Sequence, residues 1–385
     1  MKNYVPSHLK DMNRQIVYQI IKEKETTSKA ELAKLTGISS PTVIKIVNFL
    51  IEKKLVIEVG QGDFSQSEVS VGRKPRMLKL NTGLMYVAAF FLEGDFLSMG
   101  VVDLADRIIY KKSMEITPDF SFIMPEILNR LVKQLLEEAG ISESQLFGIG
   151  IALPVAYNEK KCTIITAPLI QVNEPLVIRD EIGKLEDKYK AIVMIENDAN
   201  AQVLGEFQRA GYSEKEDLVF ISIGTGLGAG IVLNGQLRRG KHHMCGEIGY
   251  ICFLGDDIER KKNAGWLESQ ISYRVLEEKF GVDFSNGSGL DSDTKKKLIA
   301  YVALPIALCI NNTAMLLDCG NIVLGGIVTE VLGEDLLTEV KKHVEQMSLT
   351  DSSIRLQSSS DSGLTGIASM VTKKKIVELL TLESD

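Results

Sequence analysis

Ala191-Ile-Val-Met-Ile-Glu-Asn-Asp-Ala-Asn-Ala201 is the stretch on which the reading of this chain turns. Its five apolar residues read as a buried strand, and after Glu196-Asn197-Asp198 the pattern becomes helical through Gln208. A strand running straight into a helix puts its polar end at the carboxyl edge of an α/β sheet, where ligands bind. Asn197 and Asp198 are therefore candidates for gripping a polar small molecule. A plain helix cap by Asn or Asp accounts for the same residues.

Working outward, Tyr86 to Asp103 is apolar and strand-like, Met124 to Ala139 is helical, and Leu146 to Leu153 is another strand. On the other side, Leu218-Val-Phe-Ile-Ser-Ile-Gly-Thr-Gly-Leu-Gly-Ala-Gly230 is a strand entering closely spaced glycines, followed by a returning strand from Ile231. Such glycines let backbone amides approach an anion, although tight packing also needs them. Asn321-Ile-Val-Leu-Gly-Gly326 repeats the strand-to-glycine theme. Two related α/β lobes around a cleft are expected.

At 385 residues the chain exceeds one ordinary core, so two or three domains are expected, and 45% hydrophobic with 25% charged residues excludes collagen-like and largely disordered classes. No run approaches the roughly 20 apolar residues of a membrane span. Five cysteines, none in a C-x-x-C pair, argue against a disulfide framework. Together these imply a cytoplasmic protein without a membrane partner. The net charge of −7 is uneven: residues 1–80 carry 14 Lys+Arg against 8 Asp+Glu, and the remainder carries 30 against 43. A basic head on an acidic body points to a polyanionic partner for the head.

The head has helical signals in series. Leu9, Met12, Ile16, Val17, Ile20 and Ile21 form the stripe of a first helix. Ser28-Lys-Ala-Glu31 predicts a capping box opening a second helix that Gly37 ends, and Ser40-Pro41 predicts the start of a third helix running to about Lys54. Two short helices around a Gly-containing turn form a helix-turn-helix, with Val43, Ile46, Val47 and Leu50 inside. Ser39, Ser40, Thr42 and Lys45 are then offered to base edges and phosphates; a protein-binding three-helix module is the alternative. Leu55 to Val59 and Met77 to Leu80 read as a β-wing. Between them Arg73, Lys74 and Arg76 suit a narrow minor groove, unless this basic linker is merely solvated.

Glu196-Asn-Asp-Ala-Asn-Ala201 with Gly205-Glu206, then Gly224-Thr-Gly-x-Gly, then Gly246-Glu-Ile-Gly249, resemble in order and spacing the ROK family of repressors and sugar kinases. The N-terminal helix-turn-helix with Gly72-Arg73 is similar to the repressor branch, the xylose and N-acetylglucosamine repressors. The resemblance covers essentially the whole chain. It implies an α/β chain in which a winged helix-turn-helix (1–80) precedes a two-lobed actin-like ATPase (ribonuclease H-like) body. Lobe 1 would span 81–195, joined by a C-terminal helix 364–385, and lobe 2 would span 196–363. Carried over, it implies effector contacts from Asn197, Asp198, Glu247 and Glu268, with Tyr250 where the family has a histidine. In the family's kinases the residue at Asp198 is the catalytic base.

Departures separate regulator from enzyme. Where family kinases hold ATP phosphates on Asp-x-Gly-Gly-Thr, this chain has Phe91-Leu-Glu-Gly-Asp95, which sets bulk and negative charge where phosphate should lie. The family's zinc site expects a histidine and three closely spaced cysteines, and this chain has Tyr250 and no cysteine between Phe253 and Gln270. His242-His243-x-Cys245 is read as incidental. Leu169 stands where the family has a polar Asn. The expectation is a repressor of carbohydrate-utilisation genes, not an enzyme, with no catalytic residues, metal or cofactor. Its partners would be a palindromic double-stranded DNA operator, a sugar or related effector, and a second copy in a homodimer or higher homo-oligomer. A ligand-independent DNA-binding dimer and an active ATP-dependent sugar kinase are the rivals.

Overall fold

The computed structural model describes residues 6–61, 76–213, 215–254, 265–284 and 290–381. The head consists of α1 (Pro6–Lys24), β1 (Thr27–Ser28), α2 (Lys29–Thr36), α3 (Ser40–Glu52), β2 (Val56–Gln61) and β3 (Arg76–Leu80). The three strands form an antiparallel sheet in the order β1-β3-β2, which makes the wing. The Ser28 hydroxyl accepts from Glu31 N at 3.2 Å to open α2, and Gly37 closes it at φ 68°, a left-handed conformation that glycine adopts without strain.

Local details differ from expectation. Glu31 does not complete a capping box but accepts from the Thr27 hydroxyl at 2.9 Å. Ser40, expected from the sequence to cap α3, is its first helical residue, and Ser39 stands at the cap position without a side-chain cap bond. On α1, Leu9, Met12 and Ile16 are exposed, and the inward face is Arg14, Val17, Tyr18 and Ile21. The reason is tertiary: the Arg14 guanidinium lies 3.7 Å from the Phe49 ring centroid and donates to the Leu380 carbonyl at 2.6 Å, so a charged residue fixes the rotation of the helix.

The body contains two five-stranded sheets. The first is built from β4 (Tyr86–Glu93), β5 (Phe96–Val102), β6 (Ile108–Glu115), α4 (Pro125–Ala139), β7 (Leu146–Leu153), the small antiparallel sheet β8 (Ala156–Asn158), β9 (Thr163–Thr166) and β10 (Leu176–Val177), then α5 (Arg179–Tyr189) and β11 (Ile192–Asn197). The helix α6 (Asp198–Arg209) leads to the second, built from β12 (Leu218–Ile223), β13 (Leu227–Leu233), β14 (Gln236–Leu237), α7 (Glu268–Ile271), α8 (Tyr273–Phe280), α9 (Ser292–Leu317), β15 (Asn321–Gly325), α10 (Ile327–Met347) and β16 (Ser353–Leu356); α11 (Ser362–Thr381) follows.

The strand orders are β11-β7-β4-β5-β6 and β14-β13-β12-β15-β16. In each, three strands form an antiparallel meander and two later strands add in parallel beside the first. The lobes therefore share one topology, and in each the first hairpin turn, Gly94-Asp95 or Gly224-Thr225-Gly226, lies at the cleft.

Helix α11 returns to pack on β4, β7 and α6. Close approach requires glycine: a Cβ on Gly366 would lie 1.8 Å from the Ala201 carbonyl oxygen, and one on Gly205 2.0 Å from that of Ser362. Glu206, fully buried, accepts from Ser358 N and from the Ser358 and Ser362 hydroxyls at 2.8–2.9 Å and from Arg355 at 2.7 Å. Burial alone would raise its carboxyl, but these bonds outweigh it and hold the pKa below the ordinary value. One apolar cluster runs from Val17 and Leu50 of the head through Leu80 into Val87, Phe91 and Leu380 of the body. α9 corrects the expectation that no run reaches span length: its 26 residues are long and apolar enough to cross a membrane, yet half of its most apolar window is buried, with Leu298, Val302 and Ile306 in the core of the second lobe.

Candidate functional site

β11 delivers Asn197 to the cap of α6, where its Oδ1 accepts from Asn200 N at 3.0 Å and its Nδ2 donates to the Val155 carbonyl at 3.2 Å. The cap reading is thus realised, and the same amide pins the chain leaving β7. Glu196, buried before it, accepts from Asn197 N and Asn200 Nδ2 at 3.0 and 2.9 Å and is ion-paired with Arg239, whose Nε lies 2.9 Å from Oε2. Arg239 belongs to the loop after β14, so this pair ties the last strand of the first sheet to a loop of the second. Nothing in local periodicity marks Arg239, and the sequence reading passed over it.

Asp198 opens α6 with Oδ1 accepting from Ala199 N at 2.9 Å, and burial pushes its carboxyl up to about 6. Across the cleft, burial and then the charges of Asp198 and Glu268 push Glu247 up to about 7. Glu268, at the start of α7, accepts from Leu227 N at 2.9 Å, and burial raises it as well. Tyr250 follows in the same loop, 48% exposed, its phenol raised by burial and by Glu247 and Glu268. The structure thus brings Asp198, Glu247, Glu268 and Tyr250 together. Burial thus raises all three carboxyls, and a carboxyl accepts hydrogen bonds when ionised and can also donate one when protonated.

The family resemblance puts nucleotide phosphate at the turn that carries Glu93, Gly94 and Asp95. Burial, then Glu330 and Asp198, push Glu93 up to about 8, and its Oε1 is buried without a hydrogen-bond partner, 3.8 Å from where a Gly224 Cβ would stand. Gly94 lies against the Thr225 side chain, and Asp95 is ion-paired to Arg274 of α8 at 3.0 Å. Phe91, in place of the acid, turns into the core against Gly363. Acidic groups and close approach of the two hairpin turns therefore stand where the family resemblance puts phosphate. Leu169 reaches the same turn, 3.7 Å from the position of a Gly226 Cβ. At the position of the family's zinc site Cys252 donates to the Tyr250 carbonyl at 3.6 Å, and the sequence has no cysteine between Phe253 and Gln270.

In the head, Ser39, Ser40 and Lys45 are exposed and Thr42 is half-buried, with the Ser39 and Thr42 hydroxyls 2.9 Å apart. Arg76 donates to Glu58 at 2.7 Å beside Lys29 at 3.1 Å. Arg73 and Lys74 lie outside the described residues. Ile44 and Asn48 share the exposed face of α3 with Lys45. The sequence reading did not name them, although the helical period that buries Val43, Ile46, Val47 and Leu50 leaves them outside.

Residues 93–374 match the ROK family, and residues 11–57 match the winged helix-turn-helix DNA-binding family. The chain is 28% identical over 272 residues to the xylose repressor of Caldicellulosiruptor bescii, covering 70% of this chain and 65% of that one. It is 29% identical over 282 residues to the beta-glucoside kinase of Listeria monocytogenes, covering 70% of this chain and 91% of that one. The match thus spans just under two thirds of the xylose repressor's length. A ROK family transcriptional regulator described as a homolog of the E. coli MLC protein shares the fold with a TM-score of 0.73 at 22% identity, covering 97% of this chain and 98% of that chain. The paired five-stranded sheets, the acidic cleft between them and the match over residues 93–374 lead to one conclusion: the chain belongs to the ROK family.

Proposed function

We propose that this chain is a cytoplasmic DNA-binding transcription regulator, a repressor of carbohydrate-utilisation genes, whose cleft senses a sugar or related polyol without phosphorylating it. In this reading the head (1–80), the first lobe (81–195 with 364–385) and the second lobe (196–363) act as three units. Ser39, Ser40, Thr42 and Lys45 meet the DNA, with Arg73, Lys74 and Arg76 on its flank. Asn197, Asp198, Glu247, Tyr250 and Glu268 meet the effector. Similarity to xylose repressors supports the regulatory role, and the acid-filled phosphate site supports the absence of kinase chemistry.

The observation that carries the reading is a continuous packed route from cleft to head. α6 begins with Asp198, crosses α11 at Gly205 and Gly366, and α11 ends where Arg14 of α1 takes the Leu380 carbonyl. A second tie runs from Lys22 of α1 to Asp106 of the β5–β6 turn, which also accepts from Gln208 of α6. A ligand that binds one lobe arrangement better than another biases the head by its differential affinity, typically about 1–3 kcal/mol. Two copies are required, because recognition helices about 34 Å apart fit successive turns of a palindromic operator.

The test is fluorescence anisotropy of full-length protein on the DNA upstream of its own gene, with and without a sugar panel, beside a labelled-ATP phosphorylation assay on the same sugars. Saturable binding that one sugar shifts several-fold, without sugar phosphate formation, supports the proposal. Sequence-independent binding unaffected by every sugar, or robust ATP turnover, refutes it.

A further inference from the structure

The outer face of α3 is left uncovered by the rest of the head. Val43, Ile46, Val47 and Leu50 are buried, and the flank at Phe49 is closed by the Arg14 guanidinium, 3.7 Å from the ring centroid. Pro41, Ile44, Lys45, Asn48 and Glu52 remain exposed. Ser40, Ile44 and Asn48 stand at four-residue intervals and so form one ridge along the helix.

The chemistry of that ridge is unlike that of a solvated helix face. Ile44 is 45% exposed in mid-helix, where neither burial nor helix propensity favours a β-branched residue over Ala, Lys or Glu. The Asn48 amide has no hydrogen-bond partner among the described residues, so its donor and its acceptor are both open. The Ser39 and Thr42 hydroxyls, by contrast, lie 2.9 Å apart and bond each other. Charge sets the direction of approach. Residues 1–80 carry 14 Lys+Arg against 8 Asp+Glu, and residues 11–57 match a DNA-binding family. Lys45 stands in the N-terminal half of α3 and Glu52 at its last position, so phosphate favours entry of the N-terminal half into the groove.

In the major groove thymine alone presents a methyl group, and adenine presents an N7 acceptor beside an N6 donor, the pair that a carboxamide matches with two hydrogen bonds. Ile44 and Asn48 are separated by about 6 Å along the helix axis. Base pairs are spaced by about 3.4 Å, so the bases the two residues meet lie within about two steps of each other. We propose that Ile44 and Asn48 are the sequence-reading residues of the head: Ile44 packs on the methyl group of a thymine, and Asn48 bonds N6 and N7 of an adenine within about two base pairs of it in each half-site. The inference rests on the DNA-binding reading of the head and names the bases it selects. Ser39, Ser40, Thr42 and Lys45 then chiefly serve the phosphates, contacts that position the helix without choosing sequence.

The test begins with full-length protein and a random duplex library, whose enriched motif supplies the half-site. Fluorescence anisotropy then follows wild type, Ile44→Ala and Asn48→Ala on that duplex and on duplexes with single thymines replaced by deoxyuridine or single adenines by 7-deazaadenine. These analogues remove only the methyl group or only the N7 acceptor. For wild type, deoxyuridine at one position per half-site is expected to weaken binding about threefold or more. At one position within about two base pairs of it, 7-deazaadenine is expected to weaken binding about fivefold or more. Ile44→Ala should be indifferent to that deoxyuridine and keep the 7-deazaadenine loss, and Asn48→Ala should show the reverse. Both side chains are exposed, so both variants should keep the wild-type melting profile and the wild-type affinity for an unrelated duplex, which a merely structural defect would lower. If Ile44→Ala responds to deoxyuridine as wild type does, if Asn48→Ala responds to 7-deazaadenine as wild type does, or if wild type responds to neither analogue, the proposal falls and the DNA-binding reading stands. A library that yields no enriched motif overturns both.

Discussion

Gly366→Ala is the sharpest test of the α6–α11 crossing. In an exposed helix this change favours folding by about 1 kcal/mol through propensity. Here the added methyl would sit 1.8 Å from the Ala201 carbonyl oxygen and 2.8 Å from Gly205 N, against ordinary contacts of 3.4–4 Å. The clash is with backbone, so no rotamer change relieves it, and the helices must separate by more than an ångström. Overpacking of this kind costs about 1–3 kcal/mol or more, and the displaced surface includes the bonds on buried Glu206. A net loss of about 2 kcal/mol is expected after subtracting propensity. At about 2–4 °C per kcal/mol for a unit of 150–250 residues, Tm falls by about 4–8 °C. Gly183→Ala in α5, where nothing lies within 4 Å of the new methyl, is the matched control and should be neutral or stabilising. Thermal unfolding by circular dichroism, with urea titration for ΔG, reads both. A Gly366→Ala protein as stable as the Gly183→Ala protein would refute the close crossing and the route built on it.

Glu206→Gln leaves Arg355 facing a neutral amide in a buried network and should cost about 3 kcal/mol or more in urea titrations. Because the folded pKa of Glu206 is depressed, its contribution is present above the unfolded value of about 4.3 and is lost as pH falls through the folded value, so the gap between wild type and variant should close in acid. Glu93 has the opposite sign: with a folded pKa of about 8, the wild type loses stability as pH rises from about 4.3 to 8. Glu93→Gln should therefore gain on wild type between pH 6 and pH 9, and a gap constant across that range would contradict the buried, partnerless carboxyl. Lys45→Ala is expected to weaken operator binding and to lower the salt slope by about one counterion per subunit, read by anisotropy at several salt concentrations. An unchanged slope would remove Lys45 from the phosphate contacts.

Much of this protein was legible from local pattern. A buried strand ending in Glu196-Asn197-Asp198, glycines after Leu218, and capped helices around Gly37 all depend on neighbours a few residues away, and period and capping chemistry report such neighbours directly. The two long strands of the wing followed for the same reason. What the sequence could not decide were partners far apart in the chain. Leu9, Met12 and Ile16 looked like the inward stripe of α1 until Phe49 and the Leu380 carbonyl claimed Arg14, because a helix rotates toward whatever the rest of the fold offers it. The length and apolarity of α9 likewise had meaning only once the second lobe enclosed half of it. Glu206 read as a motif letter, yet its role is to receive Ser358, Ser362 and Arg355 from some 150 residues away. Burial, which raises Glu93, Asp198 and Glu247, is a property of packing density around a carboxylate, and no linear stretch encodes it alone.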